Sequence, residues 1–360
     1  MYKKLVSIPL SFVWFIITSI RNYLYDKKIL KSISFDIPII CVGNLSVGGS
    51  GKTPHVEYIV DMLKSDYKVA VLSRGYRRKT KNFMIVDVDS KATDVGDEPL
   101  QIKQKFGNKV IVAVDSDRVN GVSHIISLHK PDVIILDDGF QHRALTPGFN
   151  IILTPYYNLF TIDDLLPYGN LRESKSSIKR ADIIIVTKTS ESLTDDAKKE
   201  LEYKIGKYKG KNNTVLFSYF EYDELKPLFL MNNYDKEFLK TVKNVVAFCG
   251  IAGYNSFYEY LETKFKDTTA ITLRDHHNYN ERDINRIINV YNNLERTKGS
   301  TIIVTTEKDI VKIKNNSLLA NQLCGFPIFY LPIKVRLHKN DDMFFKDKIL
   351  DYVGKNTKIN

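Results

Sequence analysis

The segment Gly43-Asn44-Leu45-Ser46-Val47-Gly48-Gly49-Ser50-Gly51-Lys52-Thr53-Pro54 constrains this chain more than any other. The apolar run Pro38-Ile39-Ile40-Cys41-Val42 precedes it, and a helical stretch, Val56 to Leu63, follows it. A strand that feeds a glycine-rich loop and then a helix start is the setting a phosphate-binding loop requires. Glycines let successive backbone N–H groups turn inward around phosphate oxygens, and the helix N-terminus adds the positive end of its dipole. In this reading Ser46, Val47, Gly48, Gly49, Ser50 and Gly51 form the cradle. Lys52 reaches the β- and γ-phosphates of a nucleotide, and Thr53 offers its hydroxyl to Mg²⁺. Pro54 falls in the first helical turn, where its missing N–H has no helical partner to lose. Ser46 stands where the general motif has its first glycine.

Such a loop needs an acidic partner at the end of a buried strand to hold Mg²⁺. Asp132-Val133-Ile134-Ile135-Leu136-Asp137-Asp138 supplies two adjacent carboxylates after an apolar run. Guanine-reading proteins carry an aspartate after a late strand, whereas here the matching place reads Thr187-Lys188-Thr189-Ser190. That favours ATP as the nucleotide.

Further Val/Ile-rich runs begin at Lys68, Val110, Ile151 and Asp182, with a helical segment at Val119 to His129. Their near-continuous apolar content suits strands buried on both faces of a parallel sheet, so the fold class is α/β. Thr214–Tyr222 and Pro227–Met231 read as two strands joined by a turn. A second α/β series follows, at Val245–Gly250, Thr269–Leu273, Thr301–Thr305 and Ile328–Leu331. The expected organisation is an N-terminal helix in 1–30, a P-loop core in 31–210 and a β linker in 211–235. A smaller α/β domain in 236–345 and a charged, frayed tail in 346–360 complete it.

The formal net charge of +11 fits nucleic acid, an anionic membrane surface or a phosphorylated substrate, or only a lysine-rich composition. The N-terminus favours the membrane. Leu5 to Ile20 is largely apolar and flanked by Lys3, Lys4 and Arg21. As a helix it spans about 24 Å, short of the ~30 Å hydrocarbon core. With Pro9 inside and Trp14 and Tyr23 near the headgroups, it reads as a helix seated in the interface, the alternative being a helix packed on the protein's own core. Three cysteines without a CxxC pair argue against a disulfide framework or a structural zinc site.

Several short strings go beyond a generic phosphate loop: Val42-Gly43-Asn44-Leu45, Ser73-Arg74-Gly75-Tyr76, Gly96-Asp97-Glu98-Pro99 and Asp137-Asp138-Gly139-Phe140-Gln141-His142. Leu171-Arg172-Glu173, Asp275-His276-His277 with Tyr279, and Thr306-Glu307-Lys308-Asp309 follow in order. Together they resemble the tetraacyldisaccharide 4'-kinase family, from about Leu5 to Leu331. Ser46 is in step with that family's pattern, whereas Ser174 replaces the proline expected after Glu173.

The resemblance implies an ATP- and Mg²⁺-dependent kinase on the cytoplasmic face of a Gram-negative inner membrane. It would phosphorylate the 4'-hydroxyl of an acylated glucosamine disaccharide 1-phosphate to form lipid IVA, and would not act on nucleic acid. A sugar hydroxyl is a poor nucleophile and needs a base within hydrogen-bond reach. Asp97 is the candidate base, with His276 or His277 arriving from the second domain to orient or tune it, so that both domains share one active site. Aspartate followed by two histidines also suits a metal site or an idle loop, although too few further ligands stand near for zinc. Thr53, Asp137 and Asp138 are the expected metal side, and Glu173 joins the nucleotide contacts. Arg74 and Arg118 suit phosphate because a guanidinium pairs bidentately, as do Arg77 and Arg78, which with Lys79 read equally as a solvated basic loop. Asn44, Tyr76, Gln141, His142 and Arg172 complete the expected substrate contacts.

Overall fold

The computed structural model of the chain describes residues 2–229, 234 and 236–357, without the side chains of residues 2–6 and 236. Met231, the end of one expected strand, lies outside that description, as do residues 358–360 of the expected tail and the side chains of Lys3 and Lys4. Two compact units emerge. One comprises Met1–Asp89, Ile102–Glu221 and Val335–Asn360, and the other Ser90–Gln101 and Tyr222–Lys334.

The first unit opens with helix α1 (Tyr2–Asp26), then strand β1 (Ile39–Asn44), helix α2 (Lys52–Leu63) and β2 (Val69–Ser73). The strands β3 (Met84–Ile85), β4 (Ile111–Val114), β5 (Val133–Asp137), β6 (Phe149–Pro155), β7 (Ile183–Thr187) and β8 (Thr214–Tyr222) follow. The Val/Ile runs of β1, β2, β5 and β7 are buried at every position, as expected where both sheet faces are covered. Strand β1 pairs in parallel with β5 on one side and β6 on the other. β2 to β5 lie on the first side and β6 to β8 on the second, so the strand order reverses at β1. Ligand crevices in open α/β sheets form at such a reversal, beyond the carboxyl ends of the strands. The glycine-rich loop leaves β1 at that point.

The second unit carries β9 (Lys226–Pro227), β10 (Asn244–Cys249), β11 (Asp267–Thr272), β12 (Thr301–Thr306) and β13 (Ile328–Leu331), in the order β11-β10-β12-β13-β9. Alternate residues of β10 face two separate cores, Val246 and Phe248 one and Val245, Ala247 and Cys249 the other. The period of two thus buries both faces of a mostly parallel sheet.

The structure departs from the expected organisation in three places. Strands 214–222 and 226–227 do not make a linker of their own, because β8 pairs with β7 in the large sheet and β9 with β13 in the small one. Val215, Leu216 and Phe217 on β8 are buried, which is why that strand completes the large sheet. Ser90–Gln101, with Asp97, belongs to the second unit. The C-terminal segment is no frayed tail: a last strand, β14 (Ile333–Leu337), joins β8, and a helix runs over Lys339–Asn356. Phe345, Ile349 and Val353, four residues apart, form its buried stripe. The Tyr352 hydroxyl accepts from Ile39 N at 3.0 Å, at the start of β1, and the Asp341 carboxylate accepts from Phe217 N at 2.9 Å.

Ile349→Ala should therefore destabilise the protein by about 2–4 kcal/mol, seen as a lower urea midpoint, while exposed Asp347→Ala on the same helix stays within about 0.5 kcal/mol. Equal midpoints for the two variants would show that the helix is peripheral to the fold.

Candidate functional site

A Cβ on Gly43 would stand 2.7 Å from the Phe140 Cβ, so glycine alone lets β1 pass beneath the Asp137–Phe140 turn. Beyond it Gly48 and Gly51 take φ of +108° and +87°, the left-handed region that side chains disfavour. Gly51 is the N-cap of α2 and brings no side chain to its first N–H groups, which leaves them for an anion. The loop is tied down from outside: the Thr187 hydroxyl donates to Ser50 O at 2.9 Å, and Val47 N donates to Asn170 O at 2.8 Å.

His55, which sequence reading passed over, completes the support. It is buried on α2, its Nδ1 lies 2.8 Å from Gly51 O, and its Nε2 lies 3.0 Å from the Ser218 hydroxyl. A carbonyl can only accept, so Nδ1 carries the proton and Nε2 accepts from Ser218. Burial pushes its pKa down to about 4, which keeps the ring neutral. Its position four residues after Gly51 was the available signal, since i and i+4 share a helix face.

Lys52 Nζ lies 3.6 Å from Asp138 Oδ2 and 3.4 Å from Asn44 Oδ1. Arg172 grips the same carboxylate through both guanidinium nitrogens, at 2.7 and 3.0 Å. Burial alone would raise the Asp138 pKa, but Lys52 and Arg172 more than offset it and bring it to about 2. Asp137, at the end of β5, is buried beside it. Arg118 is buried too, donating to Asp115 O at 2.8 Å and to Asp138 O at 3.3 Å.

Some expected contact residues serve as scaffold. Glu173 is fully buried, with both oxygens held by Arg180 at 2.8 and 2.7 Å, and with Gln141 and Asn22 donating to it as well. It therefore has no open face for a nucleotide. Gln141 donates to Asn44 O at 2.9 Å and accepts from Arg172 at 3.1 Å, so both its ends are engaged inside the protein. Asn44 is itself buried. His142 Nε2 lies 3.9 Å from Asp117, and burial together with Arg118 lowers its pKa. Arg74 and Tyr76 stay exposed after β2.

A second cluster lies within the second unit. Asp97 Oδ2 stands 3.6 Å from His276 Nδ1 and 3.4 Å from Lys312 Nζ. Lys308 Nζ bridges Glu98 and His276 Nε2, at 3.1 Å each. An ammonium only donates, so Nε2 accepts and the Nδ1 proton faces Asp97. Burial would push the Asp97 pKa up, but His276, Lys312 and Lys308 hold it below its ordinary value. His276 reaches this place from a left-handed backbone, φ +56°. His277, the alternative partner, turns instead to Asp283 at 2.8 Å and is not placed on Asp97. Lys312 lies beyond the Thr306–Asp309 string and was missed. Its spacing of four from Lys308 on one helix was the sequence clue.

A β1–loop–α2 unit with a lysine, a hydroxyl and paired carboxylates at a strand-order reversal defines a P-loop nucleotide-binding enzyme. Comparison with known proteins narrows that class. The family model described as tetraacyldisaccharide-1-P 4'-kinase matches residues 4–353. Proteins named tetraacyldisaccharide 4'-kinase from Flavobacterium johnsoniae and Porphyromonas gingivalis W83 are 40% and 39% identical to the chain, covering 97% and 96% of it and 96% of each relative. The crystal structure of LpxK from Aquifex aeolicus in complex with ATP is 31% identical and superposes with a TM-score of 0.72 over 96% of this chain and 98% of that one. The chain belongs to the tetraacyldisaccharide-1-P 4'-kinase family and is a kinase that uses ATP.

Because His55 is neutral when folded and titrates near its ordinary 6.5 when unfolded, protons favour the unfolded chain as pH falls from 6.5 towards 4. Between pH 7 and 5 this should remove about 2 kcal/mol of stability, and His55→Gln should show a correspondingly shallower loss. Parallel pH profiles of the urea midpoint for the two proteins would contradict the buried neutral imidazole.

Proposed function

We propose that this chain transfers the γ-phosphate of ATP to the 4'-hydroxyl of an acylated glucosamine disaccharide 1-phosphate, giving lipid IVA, at the cytoplasmic face of a membrane. The reading rests on family membership. Its most direct structural support is the Lys52–Asp138–Arg172 cluster at the foot of the phosphate loop. Lys52 and the α2 N-terminus hold the β- and γ-phosphate oxygens as charge redistributes in the transition state.

The hard oxygen donors Thr53, Asp137 and Asp138 suit Mg²⁺, which needs one or two carboxylates and keeps its other positions for water and phosphate. Two cations already occupy Asp138, so Asp137 and Thr53 are the principal protein ligands in this reading. When bound, the ion neutralises phosphate charge.

Asp97 accepts the proton of the attacking hydroxyl. A carboxylate with a depressed pKa is a weak base but is always ionised. That is sufficient where bond formation to phosphorus is loose and the nucleophile's proton leaves late. His276 orients Asp97 through its Nδ1–H, and Lys312 stabilises the negative charge. Exposed Arg74 and Tyr76 and the half-buried His142 remain available to the substrate's phosphate and sugar.

Helix α1 supports the membrane surface. Among the described residues no helix is long and apolar enough to cross a bilayer. Yet Ile8, Phe12, Ile16, Ile20 and Tyr23 on α1 are all exposed. An apolar face of this size, on a helix too polar to span, suits the headgroup–acyl boundary.

Asp97→Ala should lower kcat by about 100-fold or more with the KM for ATP nearly unchanged. Combining it with His276→Ala should add little, because the two act as a unit; losses that multiply would separate them. Replacing Phe12 and Ile16 together by Glu should release the protein from vesicles containing anionic phospholipid in a flotation assay. Undiminished flotation would remove α1 as the membrane-seating element.

A further inference from the structure

Helix α1 has a second face, and it is polar. Ser11, Trp14, Thr18 and Asn22 recur at three- and four-residue spacing, one stripe of a helix whose other surface is apolar. Each makes a defined bond. The Ser11 hydroxyl donates to Leu165 O at 3.0 Å and accepts from Tyr168 N at 2.9 Å. The buried Thr18 hydroxyl turns back to Trp14 O at 2.9 Å. The remaining two reach the segment that carries the catalytic cluster. Trp14 Nε1 donates to Arg172 O at 2.9 Å, and Asn22 Nδ2 donates to Glu173 Oε2 at 2.9 Å.

Arg172 is therefore held at three points. Its N–H donates to Leu45 O in the phosphate loop at 2.7 Å, its carbonyl accepts from Trp14, and its guanidinium clamps Asp138. Glu173, fully buried, joins Asn22 to Arg180 and to Gln141, which contacts both Asn44 and Arg172. Leu171 pairs with Ser46, so this short segment lies along the phosphate loop itself. A guanidinium that pairs bidentately is sensitive to the placement of its backbone, and displacements of about 1 Å cost catalysis heavily.

We propose that Trp14 and Asn22 are positioning residues for phosphoryl transfer, through which a helix facing a lipid surface sets the Arg172–Asp138 clamp beside Lys52. The outward apolar face and the inward polar stripe belong to one rigid helix. Seating that helix at a bilayer thus fixes the backbone of residues 172 and 173 against the phosphate loop. The inference rests on the reading of Lys52 and Asp138 as the phosphate and metal side of the site.

The test uses the full-length protein in detergent with saturating ATP and acylated disaccharide 1-phosphate, together with flotation on vesicles of mixed zwitterionic and anionic phospholipid. Trp14→Phe keeps an aromatic ring for lipid and loses only the N–H donor, and Asn22→Ala removes the other bond. Each should lower kcat by about tenfold, with the KM for ATP and vesicle flotation within about twofold of wild type. The Asn22→Ala and Glu173→Gln losses should be non-additive. Should Asn22→Ala fail to fold, as judged by its melting temperature, Trp14→Phe alone carries the test. Asp138→Asn separates the two layers of the argument. If it is inactive while both α1 variants turn over like wild type, the coupling is wrong and the site stands; if it is fully active, the site reading beneath fails. Losses of kcat in the α1 variants that only follow lost vesicle binding, or that multiply with Glu173→Gln, would also overturn the coupling.

Discussion

The clamp on Asp138 is the interaction on which the first unit's chemistry depends. A partly buried carboxylate is costly to leave ionised, and Asp138 stays so here because Lys52 and Arg172 meet it together. The arrangement works in both directions. Lys52 extends from the first residue of a helix whose N-terminus already attracts anions, and without a carboxylate nearby its long stem would be free to sample other rotamers. Asp138 sits at a left-handed backbone position, φ +57°, that aims it back at the loop. The same contact that holds Asp138 in place fixes the position of the Lys52 ammonium beside the loop.

From this pair the supporting structure can be followed outward. Arg172 needs its backbone fixed, and Leu45 and Trp14 fix it. Glu173 needs compensation for complete burial, and Arg180 gives it two charge-assisted bonds while stacking its guanidinium 3.9 Å from the Phe140 ring centroid. Phe140 is the residue that Gly43 leaves room for. The glycine at the end of β1, the aromatic after the acidic pair and the Arg–Glu string are thus parts of one packing solution, although they lie far apart in the chain.

What could be read from sequence follows from that range. The phosphate loop was legible because its chemistry is local: a strand, glycines at left-handed positions and a helix start are contiguous. The α/β class was legible from Val/Ile runs long enough to fill buried strands. The partners of Glu173 and Gln141 were not legible, because nothing local distinguishes a carboxylate facing solvent from one facing an arginine in the core. The 346–360 segment read as frayed because its charges outnumber the stripe of Phe345, Ile349 and Val353 that does the packing. The two strands joined by a turn read as a separate linker, but strand partners are chosen by cores assembled from distant segments.

The choice between His276 and His277 shows the same limit at the scale of one residue. The two rings leave the turn in different directions, one towards Asp97 and the other towards Asp283. Which one faces Asp97 is decided by the left-handed turn at His276 and by Asp283, whose carboxylate caps the helix Glu281–Lys298 and takes His277 as well. Lys308 then selects the tautomer of His276, because its ammonium can only donate to Nε2 and so leaves Nδ1–H for Asp97. Lys308 thereby acts on Asp97 through the imidazole as well as through its own charge. It keeps its own charge because Glu98 and Asp275 outweigh the cost of burial. The Thr306–Asp309 string contributes to this site through that proton: it fixes where the hydrogen on the imidazole sits.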